Sequence, residues 1–248
     1  MLRANRGRSI SQRVQKCRTV MRFAVQAAVE TLENRRLLSG YTLTDLGTLG
    51  GANSAAYAIN DSGQVTGWAD TGDPGTSHAF LYSNGSMSDL GSLNGDSTSE
   101  GRAINASGQI VGGSYTSPPP VHGFLYSNGS MQDLAQEPLD QPTGINASGV
   151  ISGQGPWGGG YQPYIYDSVN GLQQIPLLDG YQIGAVGTLN NVGQVPGGSY
   201  ITFANYWRGT VYDMNTSTLS ALPDSVGQSF ASAINDDGLA TGWMGATR

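Results

Sequence analysis

Two histidines are present, His78 and His122, separated by 44 residues. Imidazole titrates near neutrality, so either could act as a base or a metal ligand. Both stand in one context, HAFLYSNG and HGFLYSNG, which makes each a strand-start residue that bonds a neighbouring loop. Asp45, Asp89 and Asp133 share another recurring slot, before Leu-Gly or Leu-Ala, where a carboxylate accepts backbone N–H groups. The remaining candidates fall outside any recurring slot: Asp70, Asp73, Glu100, Glu137, Asp140, Asp179 and Asp224. Two of these converging on one face would form a glycosidase-type acid/base or nucleophile pair. Trp157, in the segment GPWGGGY, and Tyr161 are out-of-register aromatics that could stack on a sugar ring. Trp68 and Trp243 share a slot and are expected in the core.

Absences narrow the chemistry. Cys17 is the only cysteine, which excludes an intrachain disulfide framework and a cysteine-ligated zinc site. There is no G-x-S-x-G or H-E-x-x-H, and no lysine after residue 40 to serve a phosphate-binding loop. The spaced carboxylates of an EF-hand are missing as well. The sequence therefore assigns no catalytic residue, no cofactor-binding residue, no metal ligand and no cofactor.

Charge divides the chain. Residues 1–40 hold nine of the twelve basic side chains against Glu30 and Glu33, a net of +7. Residues 41–248 hold three arginines and sixteen acids, a net of −13. The pattern predicts a basic, weakly helical or disordered targeting arm over 1–40 and an acidic domain over 41–248. No nucleic acid is expected on the body, which lacks the cations that displace phosphate counterions. No apolar run approaches the roughly 18 residues of a membrane-spanning helix.

The acidic domain repeats itself. INDSGQVTG, INASGQIVG, INASGVISG, LNNVGQVPG and INDDGLATG place asparagine at 60, 105, 146, 190 and 235, with spacings of 45, 41, 44 and 45. Asn followed three residues later by Gly forms a tight turn, because the Asn side chain bonds its own backbone and Gly takes positive φ freely. The second invariant glycine (67, 112, 153, 197, 242) marks a bulge or a close backbone approach. Between these phrases lie Asn84-Gly85 and Asn128-Gly129, each flanked by apolar runs, a strong hairpin signal. Four short strands per period of about 44 residues match a propeller blade. The expected fold is all-β: a propeller-like array of about five four-stranded repeats. YTLTDLGTLGG, from Tyr41, is expected to supply an opening strand that joins the final pair, leaving the last blade incomplete.

The two alternating phrases resemble the HAF family of extracellular repeats, named for the triplet found here as His78-Ala79-Phe80. The likeness spans 41–248 and is clearest over 41–155; later copies lose the His, with Pro163 and the neighbourhood of Asn205 in its region. VETLENRRLLSG, Val29–Gly40, resembles the LEPR-xLL motif of large exported bacterial proteins, with Asn34 where that motif has Pro. The resemblance implies an exported bacterial protein, extracellular or on the cell surface. The expected function is a noncatalytic module that binds a glycan, protein or envelope component through its loops. The alternative is a carbohydrate-active hydrolase or lyase on a five-bladed propeller, using the out-of-register carboxylates. Oligomeric state is left open.

Overall fold

The computed structural model describes residues 43–115, 121–134, 139–157, 160–223 and 228–245, with Trp157 described by its backbone alone. The basic arm, its LEPR-xLL-like segment, Glu137 and Asp224 lie outside the described residues. The chain divides into two units, Met1–Asp45 and Leu46–Arg248. Of the first, only residues 43–45 are described, an exposed irregular segment.

In the second unit every regular element among the described residues is a strand. Four antiparallel meanders follow one another along the chain. The first is β1 (Gly50–Ile59), β2 (Val65–Thr71), β3 (Ser77–Ser83) and β4 (Ser86–Asp89). The second is β5 (Thr98–Ile104), β6 (Ile110–Tyr115), β7 (Val121–Ser127) and β8 (Ser130–Asp133). The third is β9 (Gln141–Ile145), β10 (Ile151–Trp157), β11 (Gly160–Asp167) and β12 (Gly171–Gln174). The fourth is β13 (Ile183–Val186), β14 (Gln194–Ile201), β15 (Tyr206–Asp213) and β16 (Thr218–Ala221). A two-stranded piece ends the series, β17 (Ser229–Ile234) and β18 (Ala240–Met244). A single parallel pair, Ser77 with Thr98, links the first two meanders.

Local chemistry sets each corner. Asn84 and Asn128 have φ of 53° and 52°, and the glycines after them 80° each, both central positions being left-handed as a type I′ turn requires. In the Asn-x-x-Gly corners the glycine takes the positive φ, while the Asn works through its side chain. Asn105 Oδ1 accepts the N–H groups of Ser107 and Gln109 at 3.1 and 3.0 Å. Asn60 and Asn146 repeat the arrangement. The second glycine sits where its strand meets the preceding one: a Cβ at Gly67, Gly112 or Gly242 would overlap the carbonyl of Ala55, Glu100 or Phe230. The partner strands β1, β5 and β17 carry register shifts beside these glycines.

No sheet buries both faces alone, and the core lies between sheets. Leu90 and Leu93, which follow β4, pack with Ala79 and Leu81 of the first sheet and Ile110 and Phe124 of the second. Leu134 and Leu139 bridge the second and third sheets in the same way. Ile165 and Ile175 of the third meet Val186, Leu189 and Val195 of the fourth. Side chains such as Phe124, fully buried, each contribute roughly 1.5–3 kcal/mol.

The ends differ from expectation. Residues 43–48 form no strand, and Leu49 makes only an isolated bridge to Thr71. Leu46 and Leu49 instead turn onto Val65, Ala69 and Phe80 of the first sheet. This apolar cover holds the segment on the first sheet, and among the described residues no opening strand joins β17 and β18.

Candidate functional site

The scaffold engages most of the recurring polar residues. Asp89 bonds the Gly91 N–H at 2.7 Å and the His78 ring at 3.0 Å; His122 faces Asp133 at 3.4 Å. Each histidine opens the third strand of its sheet and pairs with the end of the fourth strand, rather than with a loop. The same slot in the later sheets holds Gln162 and Arg208, not Pro163 or Asn205. Gln162 meets Gln174, and Arg208 donates to the Leu222 carbonyl at 3.0 Å.

The out-of-register carboxylates scatter. Asp179 is exposed in a turn. Burial pushes the Asp140 carboxyl above its usual range, with His122 opposing and Asp133 adding to the shift. Asp70 and Asp73 line a hollow of about 420 Å³. Both rise from the single β2–β3 hairpin, and Gly51 and Ala52 on the other side bring no titratable group. Asp70 is further tied to the backbone and side-chain nitrogens of Asn53 at 3.0 and 2.8 Å.

A second hollow, of about 200 Å³, opens between the first two sheets. Trp68 of β2 and Ser77 of β3 form one side; Thr98, Ser99 and Glu100 of β5 and Tyr115 of β6 form the other. Alternation along β5 (half-buried, buried, half-buried) directs Thr98, Glu100 and Arg102 to one face. Arg102 Nε donates to Glu100 Oε1 at 2.9 Å and Nη2 donates to the Tyr115 hydroxyl, which donates to Glu100 Oε1 at 2.8 Å. Burial holds the Tyr115 phenol above its ordinary range; Arg102 opposes the shift and the Glu100 acceptor adds to it. The phenol is therefore a neutral donor fixed between two charges. Trp68 Nε1 donates to the Tyr57 hydroxyl at 3.0 Å, which fixes the indole.

Trp68 is thus half-buried at this hollow, and Trp243, 45% exposed, caps an aromatic row with Phe230, Trp207 and Tyr200, so neither is the core residue expected. The slot they share holds glycine at 113 and 198, where a side chain would strike Tyr115 or Phe230. Tyr161 is exposed on β11, away from this hollow, and the Trp157 side chain lies outside the described residues. Tyr115 and Arg102 were not singled out by sequence reading. Their signal is that the equivalent positions hold Pro156 and Thr143 in the third sheet.

No family model matches the chain, and no curated protein sequence matches it. Solved structures do. TolB from Acinetobacter baumannii superposes with a TM-score of 0.51 at 14% identity, over 72% of this chain and 45% of that one. A TolB-type protein from Agrobacterium tumefaciens gives 0.53 at 14% identity, over 76% and 73%. A puromycin hydrolase mutant gives 0.52 at 13% identity, over 82% and 36%. This chain thus spans under half the length of the Acinetobacter protein. The likeness shows a fold: an all-β array of the TolB-like propeller kind.

Proposed function

We propose that this chain is an exported, noncatalytic propeller module that binds a glycan in the hollow between its first two sheets. One observation carries the reading: Trp68, Tyr115 and Glu100 meet there, with Arg102 holding the carboxylate and phenol in place. Aromatic faces that stack on a ring, with fixed charged and hydroxyl groups beside them, suit a polyhydroxylated ligand. The volume, below the roughly 300–1,000 Å³ of drug-sized pockets, suits one ring. Among the described residues Glu100 is the one carboxylate that lines the hollow, and it faces Arg102 at 2.9 Å, an arrangement that favours fixed recognition of a ligand over a pair of opposed acids. Export rests on the LEPR-xLL-like segment and the HAF resemblance. No helix among the described residues is long and apolar enough to cross a membrane.

The test is a glycan array probed with the full chain, followed by Trp68→Ala and Glu100→Gln. Hits that both variants weaken at least tenfold, with unchanged thermal unfolding, support the reading. A blank array, or binding that survives both substitutions, refutes it.

A further inference from the structure

The Asn-x-x-Gly corners of successive sheets are joined by one recurring bond, a ladder of side-chain amides. Asn60 Nδ2 donates to the Asn105 carbonyl at 2.9 Å, Asn105 to Asn146 at 3.0 Å, Asn146 to Asn190 at 3.3 Å, and Asn190 to Asn235 at 2.8 Å. The residue after each Asn therefore lies beside its counterpart in the next sheet. In the later junctions that residue adds a second bond. Asn191 Oδ1 accepts the Ala147 N–H at 2.9 Å, and Asp236 Oδ1 accepts the Asn191 N–H at 2.8 Å. Asn191 Nδ2 also donates to Asp236 Oδ2 at 2.9 Å, and these bonds from Asn191 hold the Asp236 carboxyl below its usual range. The Asn191 carboxamide thus bridges a main-chain N–H and a carboxylate.

In the first two junctions the counterpart positions hold Ala106 and Ala147, which bring only methyl groups. Among the described residues no acceptor meets the N–H of Asp61 or of Ala106, and no donor meets the Asp61 carboxylate. The space so left is a third hollow, of about 210 Å³, lined by corners of all four meanders. Asp61, Ala106 and Ala147 line it together with apolar Ile104, Ile145 and Leu189. It shares no lining residue with the hollow of Trp68 and Tyr115 and does not rest on the glycan reading.

We propose that this hollow binds a primary carboxamide on a short aliphatic stem, the side chain of a glutamine or asparagine. Its oxygen accepts from the uncovered N–H groups, its NH2 donates to the Asp61 carboxylate, and its methylene groups lie against Ile104, Ile145 and Leu189. Asn191 makes the same two polar contacts within the chain, one junction further on. A carboxylate ligand would meet the N–H groups but stand against Asp61, and an ammonium ligand would leave those donors unmet. The carboxamide alone of the three carries both an acceptor and a donor without charge.

The test follows amide proton–nitrogen correlation spectra of the full chain during titration with N-acetyl-glutamine methylamide, free glutamine and N-acetyl-glutamate methylamide. The blocked glutamine should shift the Asp61 and Ala106 resonances and leave those of Ala147 and Asn191, already bonded, in place. The glutamate counterpart should bind weaker by about tenfold or more, and Asp61→Asn should erase that preference. The double variant Ala106→Asn, Ala147→Asn supplies its own carboxamides and should abolish the shifts. Both positions are exposed, so its thermal unfolding should not fall. Free glutamine binding as tightly as the blocked form supports the site with a small-molecule source; a clear preference for the blocked form supports it with a side chain of a peptide segment. Unmoved Asp61 and Ala106 resonances, equal binding of the glutamate counterpart, or shifts that persist in the double variant would overturn the proposal.

Discussion

The side-chain amide of Asn105 donates to the main-chain carbonyl of Asn146 at 3.0 Å, across a separation of 41 residues. The same side chain receives the N–H groups of Ser107 and Gln109 through Oδ1, so one residue both shapes its own turn and fastens the next sheet. A repeat array needs something beyond apolar packing to set the angle between units, since hydrophobic burial is not directional. The asparagine bond supplies that direction.

Asn105→Ala should therefore cost about 2–4 kcal/mol in chemical denaturation, because buried donors and acceptors lose their partners. Asn235→Ala, at the exposed finish of the ladder, should cost under about 1 kcal/mol, since its side chain caps only the Leu239 N–H. Equal losses at the two positions would mean that the turn matters and the ladder does not.

Glycines separate by mechanism. Gly112→Ala drives a methyl group into the Glu100 carbonyl and the Phe124 ring and should destabilise by roughly 1–3 kcal/mol or more. Gly85→Ala meets open space and suffers only from φ of 80°, a cost of about 1 kcal/mol. Urea midpoints for the two variants would rank them; the reverse order would contradict the close approach at Gly112.

Much of this was readable in advance, for a physical reason. Turn chemistry is local, so INDSGQVTG and SNGS announce their corners, and four strands per period follow from counting them. The ladder joins residues 41–45 apart, and an Asn that caps its own turn looks complete without it. The opening strand failed because Leu46 and Leu49 had nearer apolar partners, a contest that periodicity does not register. The hollow was hidden for another reason: Trp68 shares a slot with Trp243 and passes for framework. Glu100, Arg102 and Tyr115 are spread over two strands, and only the antiparallel pairing of β5 with β6 brings them together.

Asp140 makes the fold pH-sensitive in a definite direction. Burial raises its pKa, against His122 and helped by Asp133, so the folded chain holds this proton more tightly than the unfolded chain. The stability so contributed is fully present below the ordinary carboxylate pKa and is lost as pH rises through the raised value. Asp140→Asn should stabilise the protein near pH 7 by less than about 1 kcal/mol after solvent screening, and the gain should vanish in acid. Melting temperatures of the variant and wild type across that range test the sign. A gain that grows toward low pH would contradict it.

Tyr115→Phe isolates the polar half of the hollow. The substitution keeps the ring for stacking but removes the hydroxyl that joins Arg102 to Glu100. The two ions still face each other at 2.9 Å, so the fold should persist, while the freed carboxylate can turn from its bound position. Ligand affinity should drop by about tenfold, equivalent to about 1.4 kcal/mol, by titration calorimetry with a glycan that binds the wild type. Because burial holds the phenol above its ordinary pKa, wild-type affinity should also show no tyrosine ionisation up to about pH 10, the unperturbed value. Unchanged affinity in the Phe variant would leave Trp68 as the only working group and remove the preorganised triad from the account of binding.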